Sequence, residues 1–146
     1  MRKKTIILLG WILFIYLLSS DGNSYSHTQY IVSHLFDLIS IPSYDIFNFL
    51  MRKLAHSFEF FILGVLFFHI FQHFEIKKIH LLLLPCLLSL NFAFFDEIHQ
   101  LFVPGRNGTL KDISYDFLGI LFSFVYIHYS TKRKYSWNII KEGDSI

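Results

Sequence analysis

Ionisable side chains within apolar stretches are the residues of this sequence that could do chemistry. They form three clusters, and each cluster covers one face of a helix because residues three or four apart lie on the same side of a helical turn. A charge in the middle of a bilayer costs about 2.5–3.5 kcal/mol on insertion scales, so charges inside a membrane are usually paired or functional. The clusters are Arg52-Lys53-x-x-His56-x-x-Glu59, Asp96-Glu97-x-His99-Gln100 and Asp112-x-x-x-Asp116.

The first two clusters contain the groups that general acid–base catalysis needs. His56 with Glu59 or Glu97 could form such a pair, since imidazole and carboxyl groups are the usual carriers of protons in active sites. We therefore take His56, Glu59, Asp96 and Glu97 as candidate catalytic residues. An obvious nucleophile is lacking, because the only cysteine, Cys86, lies deep in an apolar stretch.

The same clusters could instead bind a ligand. Arg106 stands in the sequence Pro-Gly-Arg-Asn-Gly, whose turn signals predict a short loop that holds this arginine close to Asp96 and Glu97. A guanidinium fork suits carboxylates or phosphates. A divalent cation could alternatively be held by the carboxylate oxygens of Asp96, Glu97, Asp112 and Asp116. We nevertheless predict no metal ion and no other cofactor. The predicted ligand-binding residues are Arg52, Lys53, His56, Glu59, Asp96, Glu97, Gln100, Arg106, Asp112 and Asp116.

Composition places these clusters in membrane helices. Of the 146 residues, 53% are hydrophobic and 16% charged, whereas soluble domains carry about 25% charged residues. This excludes a disordered chain and a coiled coil and argues against an ordinary soluble domain. A membrane-spanning helix needs about 20 mostly apolar residues. We predict an all-α integral membrane protein, a four-helix bundle in a single domain (1–146), with spans at 5–20, 54–74, 79–103 and 113–130 and a polar tail at 131–146.

Lysine and arginine residues set the expected orientation, because cytoplasmic loops carry an excess of them. With four crossings, nine of the thirteen fall on one side and four on the other. Both termini are therefore predicted to be cytoplasmic, with residues 21–53 and 104–112 outside, so that all three clusters open on the outer surface. The first span follows basic residues but lacks an A-x-A-like cleavage site, so we expect a retained helix rather than a signal peptide.

The first outer connection predicts a short interfacial helix. From Thr28 to Ile39, apolar residues recur at helical spacing among polar ones. Pro42 ends this pattern, and Ser43 is a candidate N-cap for a helix that runs from about Tyr44 into the second span. The segment either packs on the outer ends of the bundle or senses the membrane surface.

Three motifs resemble those of a known family. Residues 52–60 (RKLAHSFEF) resemble the R-K-x-A-H-x-x-E-[YF] motif of VanZ-like membrane proteins, and residues 96–106 (DEIHQLFVPGR) resemble their D-E-x-x-Q-x-F-x-P-G-R motif. Asp112 with residues 116–119 matches the D-x-x-x-[DN]-x-x-G motif that follows. The resemblance implies a small, multi-pass protein of the bacterial cytoplasmic membrane. Its namesake is associated with low-level resistance to the glycopeptide teicoplanin, but the resemblance implies no mechanism.

Three hypotheses follow for the function. In the first, the outer site binds a polar head group of a lipid or lipoglycopeptide and contributes to antibiotic tolerance. Its partners would be the lipid bilayer and that ligand, with no nucleic acid. In the second, the protein is a membrane-embedded enzyme that modifies a lipid-linked envelope substrate. In the third, it is a structural or regulatory subunit whose charges pair internally and only organise the bundle.

Overall fold

Long α-helices build the protein, as expected from its extended apolar stretches. The structure is a computed structural model that describes residues 1–23, 26–30, 33, 44–106 and 108–143, and within these residues it contains no β-strand. A helical segment at 26–30 lies between the first two long helices. The long helices are α1 (Arg2–Ser19), α2 (Tyr44–Phe71), α3 (Lys78–Gln100) and α4 (Leu110–Gly143).

Two of the four predicted spans have the length and composition of membrane helices. Residues Ile46–Phe71 of α2 and Lys78–Gln100 of α3 are long and apolar enough to cross a membrane by those two criteria. Large apolar side chains also cover the outside of the bundle: Leu13, Phe58 and Phe122 are each more than half exposed. Such a surface suits lipid rather than water. Crossings by α1 and α4 stay predictions, as do the four-span topology and its orientation.

The helix boundaries differ from the predicted spans mainly at the chain's second half. As expected, α2 begins at Tyr44, well before its apolar stretch. Helix α3 ends at Gln100, a few residues earlier than predicted, because a tight turn follows it. Helix α4 continues to Gly143 and so includes most of the segment predicted as a polar tail. The interfacial helix predicted from Thr28 to Ile39 falls mostly outside the described residues. Ser43, the candidate N-cap of α2, lies outside them as well.

Helix α2 is the centre of the packing. It packs most extensively against α4, then against α3 and α1, whereas α1 touches α3 less. Small residues permit the close crossings, as is usual between membrane helices. A Cβ built on Gly119 of α4 would overlap the main chain of α2 at Ser57, and one built on Gly64 of α2 would overlap the side chain of Ser123 on α4. The main apolar core is formed by Leu8, Ile15, Phe60, Leu63, Phe67, Ala93 and Ile120.

Pro85 lies inside α3 without ending it. The Oγ of Ser89 donates a hydrogen bond of 2.8 Å to the Pro85 carbonyl, one turn earlier, and both residues are fully buried. Pro85 is therefore accommodated inside α3, as membrane helices commonly allow.

Candidate functional site

The start of α4 is joined to α2 by an ion pair at the edge of the site. The Lys53 ammonium donates a short hydrogen bond to the carboxylate of Asp112, and both side chains are about four-fifths buried. The same ammonium lies 5.4 Å from the ring centre of Phe49 and 5.2 Å from that of Tyr115. Two aromatic faces at this distance stabilise a cation that has lost part of its hydration. Lys53 is thus fixed, and it orients Asp112.

One turn deeper, His56 lies between two carboxylates. Its Nδ1 is 3.7 Å from Oδ1 of Asp116 on α4 and 4.0 Å from Oε2 of Glu59 on its own helix. These distances exceed a hydrogen bond. Asp116 is completely buried, and among the described residues neither of its side-chain oxygens has a hydrogen-bond partner. A buried carboxylate without partners is costly, by several kcal/mol if it is charged, so His56 is the group that can compensate it.

The end of α3 contributes three buried polar residues to the same end of the bundle. Asp96, Glu97 and Gln100 are each less than a tenth exposed. The Gln100 amide donates a hydrogen bond of 2.7 Å to the Asp96 carboxylate, one turn earlier on the helix. One oxygen of Glu97 accepts the backbone N–H of Thr109 at 2.8 Å, while its other oxygen is buried without a partner. Glu97 therefore ties the loop between α3 and α4 to the end of α3.

Two glycines explain the shape of that loop. Gly105 has φ +83°, a left-handed conformation that residues with a side chain rarely adopt, and a Cβ there would lie 2.7 Å from the carbonyl oxygen of Gly22. A Cβ on Gly108 would overlap the main-chain oxygen of Glu97. The backbone of the Pro-Gly-Arg-Asn-Gly motif can therefore lie directly against α3 on one side and against the turn after α1 on the other.

Helix α1 closes the site from a third direction. The indole N–H of Trp11 donates a hydrogen bond of 3.0 Å to the main-chain oxygen of Glu59. His99 lies 3.0 Å from the Ser20 hydroxyl, and its ring packs 4.9 Å from that of Tyr16. These contacts fix α1 beside the polar ends of α2 and α3, so the charged clusters are enclosed by protein on this side.

A polar cavity of about 300 Å³ lies where these elements meet. It is bounded by the first part of α2, the end of α3, the connecting loop and the start of α4. A volume of this size is at the lower end of the range for small-molecule sites. The lining residues are Phe49, Arg52, Lys53, His56, Gln100, Gly105, Arg106 and Asp112.

Comparison with known protein families agrees with the three motifs. A family model described as VanZ/LLP1 matches residues 5–131, which is most of the chain. The chain belongs to the VanZ/LLP1 family. No curated protein and no solved structure matches it.

The structure brings together the residues that this VanZ/LLP1 chain was predicted to gather. Lys53 contacts Asp112, His56 lies beside Asp116 and Glu59, and six of the ten predicted ligand-binding residues line the cavity. Glu59, Asp96, Glu97 and Asp116 do not line it. Among the described residues no group of three or more His, Cys, Asp or Glu side chains is placed to hold a metal ion, so the alternative of a divalent cation held by the carboxylates gains no support.

Arg106 differs from its expected pairing. Its Nη2 donates a hydrogen bond to the main-chain oxygen of Leu18 in the last turn of α1. Within the described part of the chain, no ion pair joins it to Asp96 or Glu97. The left-handed turn at Gly105 directs the arginine towards α1, and the carbonyl at that helix end is a favourable acceptor for a cation.

Sequence reasoning missed several residues of this VanZ/LLP1 site. Asn48 is completely buried, and both polar atoms of its amide lack a hydrogen-bond partner in the part of the chain that the structure describes. It lies one turn before Arg52 on α2, so the helical spacing would have placed it on the same face as the first cluster. Tyr115 and Trp11 act through contacts with distant parts of the chain, at Lys53 and at the Glu59 carbonyl, which no local pattern indicates.

Proposed function

We propose that this protein is a multi-pass membrane protein of the bacterial cell envelope whose polar cavity opens outward and binds the head group of a lipid or lipoglycopeptide. Its binding would contribute to tolerance of glycopeptides of the teicoplanin type, as the family resemblance suggests. The observation that carries the proposal is the cavity itself, which collects Arg52, Lys53, His56 and Arg106 at one end of an otherwise apolar bundle. A head group is the part of an amphiphile that such an arrangement can recognise.

Membrane orientation is the first part to test, because an outward-facing site depends on it. Cys86 is the only cysteine in the sequence, so Cys86→Ser gives a background for single reporters. Phe102→Cys lies in the exposed turn after α3 and Glu75→Cys in the exposed connection after α2. A membrane-impermeant maleimide should label the first variant in intact cells and the second only after permeabilisation. The reverse pattern contradicts the proposal.

A deletion strain tests the link to antibiotic tolerance. We expect the strain to become more sensitive to teicoplanin-type lipoglycopeptides and to be rescued by the wild type. Glu59→Ala, Asp96→Ala and Arg106→Ala should fail to rescue at normal membrane levels, whereas Lys111→Ala, an exposed cation that does not line the cavity, should rescue. A deletion without any effect on sensitivity contradicts the resistance role. Variants that vanish from the membrane support a structural role of the cluster.

A membrane-embedded enzyme is the second candidate function, and His56 is the observation that favours it. An imidazole within 4.0 Å of two carboxylates on two helices can carry a proton to or from a bound substrate. Under this hypothesis, envelope lipids incubated with the wild type should change in mass while those incubated with His56→Ala should not. Binding that persists in both proteins without any change in lipid mass favours the first function.

A further inference from the structure

Positive charge dominates the wall of the polar cavity. Of its lining residues, Arg52, Lys53 and Arg106 carry a positive charge, and His56 contributes an imidazole ring. Among the described residues that line it, Asp112 alone carries a carboxylate, and that group is in an ion pair with Lys53. Two guanidinium groups and an imidazole are thus part of the wall that a bound molecule would meet.

The guanidinium of Arg106 is held in place but has donors to spare. One of its nitrogens donates a hydrogen bond to the Leu18 carbonyl, which limits how far the side chain can move. Its Nε is buried and has no acceptor among the described residues. Burial, and then the positive charge of Arg52, lower the pKa of the Arg106 guanidinium. Two like charges that repel one another across a cavity are stabilised when an anion lies between them.

We propose that the polar cavity recognises a phosphate group, bound between the guanidinium groups of Arg52 and Arg106 with His56 at its side. The inference rests on the proposed function, because it names the chemistry of the head group that the same cavity binds. A carboxylate has two oxygens and is satisfied by a single guanidinium fork. A phosphate presents three or more oxygens and can bridge two forks from opposite sides.

The neighbouring carboxylates do not contradict an anion site. Asp96 accepts a hydrogen bond from Gln100 at the end of α3, and Glu97 accepts one from Thr109 in the loop before α4, so both are directed to partners of their own. Glu59 and Asp116 lie behind His56 and, like the other two, stay out of the cavity lining.

The phosphate could be carried by a lipid or be free in solution, and the surroundings favour a lipid. An apolar groove of about 750 Å³ runs between α2 and α4 and is bounded at one end by Met51, the residue before Arg52. Leu54, Phe58 and Phe122 are among the side chains that line it. A lipid whose phosphate lies at Arg52 would therefore have apolar surface next to it for its acyl chains.

The test is a binding measurement on the full-length protein purified in dodecyl maltoside, a detergent without phosphate. Four probes are titrated against the wild type: dioleoyl phosphatidic acid, dioleoylglycerol with the same chains and no phosphate, oleate as a carboxylate lipid, and inorganic phosphate. Native mass spectrometry counts bound lipid, and the thermal unfolding midpoint gives apparent affinities. We expect phosphatidic acid to bind at least about tenfold more tightly than dioleoylglycerol or oleate, which is the effect of one charge-assisted hydrogen bond.

Variants then locate the phosphate. Arg52→Gln and Arg106→Gln should each weaken phosphatidic acid about tenfold to a hundredfold, while the exposed Lys111→Gln should not change its affinity. Inorganic phosphate that competes with phosphatidic acid supports the phosphate site and indicates that the lipid chains are dispensable. The comparison of probes on the wild type keeps the proposal testable if an arginine variant fails to fold.

Other outcomes overturn the inference, and they separate it from the proposed function. Equal binding of phosphatidic acid and dioleoylglycerol, or of phosphatidic acid and oleate, refutes phosphate recognition but leaves lipid binding intact. If phosphatidic acid binds to Arg52→Gln and to Arg106→Gln as tightly as to the wild type, the phosphate lies elsewhere and the inference is also refuted. If none of the four probes binds and a teicoplanin-type lipoglycopeptide does not bind either, both the inference and the proposed function fail.

Discussion

The close crossing of α2 and α4 at Gly119 allows the stability loss of a Gly119→Ala variant to be predicted. A Cβ at Gly119 would lie 2.7 Å from the carbonyl carbon and 3.0 Å from the Cα of Ser57. The carbonyl oxygen of Ser57 would be closer still. Carbon atoms pack best at about 3.5–4.0 Å, and backbone atoms cannot rotate away, so Gly119→Ala must part the helices by at least about 1 Å. Overpacking of this kind costs about 1–3 kcal/mol. The shift would also move Asp116, one turn earlier, away from His56.

Gly10 provides a matched control for the same chemical change. It lies inside α1, and a Cβ there has no atom within 4 Å. Gly10→Ala should therefore gain about 0.5–1 kcal/mol, because alanine favours a helix over glycine. The gain in helix propensity is common to both Gly→Ala variants, so they should differ by the overpacking cost alone, about 1–3 kcal/mol in the free energy of unfolding. Reversible unfolding in bicelles, followed by steric trapping or by helical circular dichroism, measures this difference.

Gly64 adds a rescue experiment, because its obstacle is a side chain. A Cβ at Gly64 would lie 2.8 Å from the Cβ of Ser123. Ser123→Gly should restore much of the stability lost in Gly64→Ala, whereas no substitution at Ser57 should restore Gly119→Ala, whose obstacle is main chain. The reasoning is refuted if Gly119→Ala is as stable as the wild type, or if Ser123→Gly leaves Gly64→Ala unchanged.

Three further predictions concern the margins of the site. Lys53→Met should lower the free energy of unfolding by about 1–3 kcal/mol. The loss is smaller than for a fully buried pair because both side chains keep some exposure. Adding Asp112→Asn to this variant should recover part of the loss, which a double-mutant cycle measures. Gly105→Ala should lose about 1–3 kcal/mol in the same unfolding assay, because alanine must adopt a positive φ. The N–H of Asn23 lowers the pKa of Asp21 below its ordinary 3.8. That hydrogen bond therefore stabilises the turn at all pH values above 3.8 and is lost as the pH falls through the lowered pKa, which an NMR titration of the Asn23 amide should detect.

The elements and their polar faces could be predicted because they depend on local spacing. Asp112, Asp116, Gly119 and Ser123 follow one stripe of a helix in the sequence. In the structure, this stripe of α4 meets α2, through an ion pair at Asp112, a close ring at Asp116 and tight packing at the two small residues. A helical period fixes which residues share a face, and the polar and small residues of that face then select the neighbouring helix.

The environment of Arg106 could not be predicted, because it depends on contacts remote in sequence. Its hydrogen bond to Leu18 joins residues 88 positions apart. That contact exists because Gly105 adopts a positive φ and lies against Gly22, so that the loop contacts the turn after α1 as well as the end of α3. Turn signals predicted that a loop would form here, but they carry no information about which helix the loop contacts.

The balance of satisfied and unsatisfied polar groups argues for a site rather than for a scaffold of ion pairs. A scaffold should pair its buried charges completely, since an unpaired buried charge costs more than an apolar replacement would. Asp116, one oxygen of Glu97 and the Nε of Arg106 are instead buried and lack hydrogen-bond partners among the described residues. Local rules are broken in this way mainly where function requires it. The close packing at the small residues and the orphaned polar groups are therefore found at the same end of the bundle as the polar cavity, as expected of a ligand site.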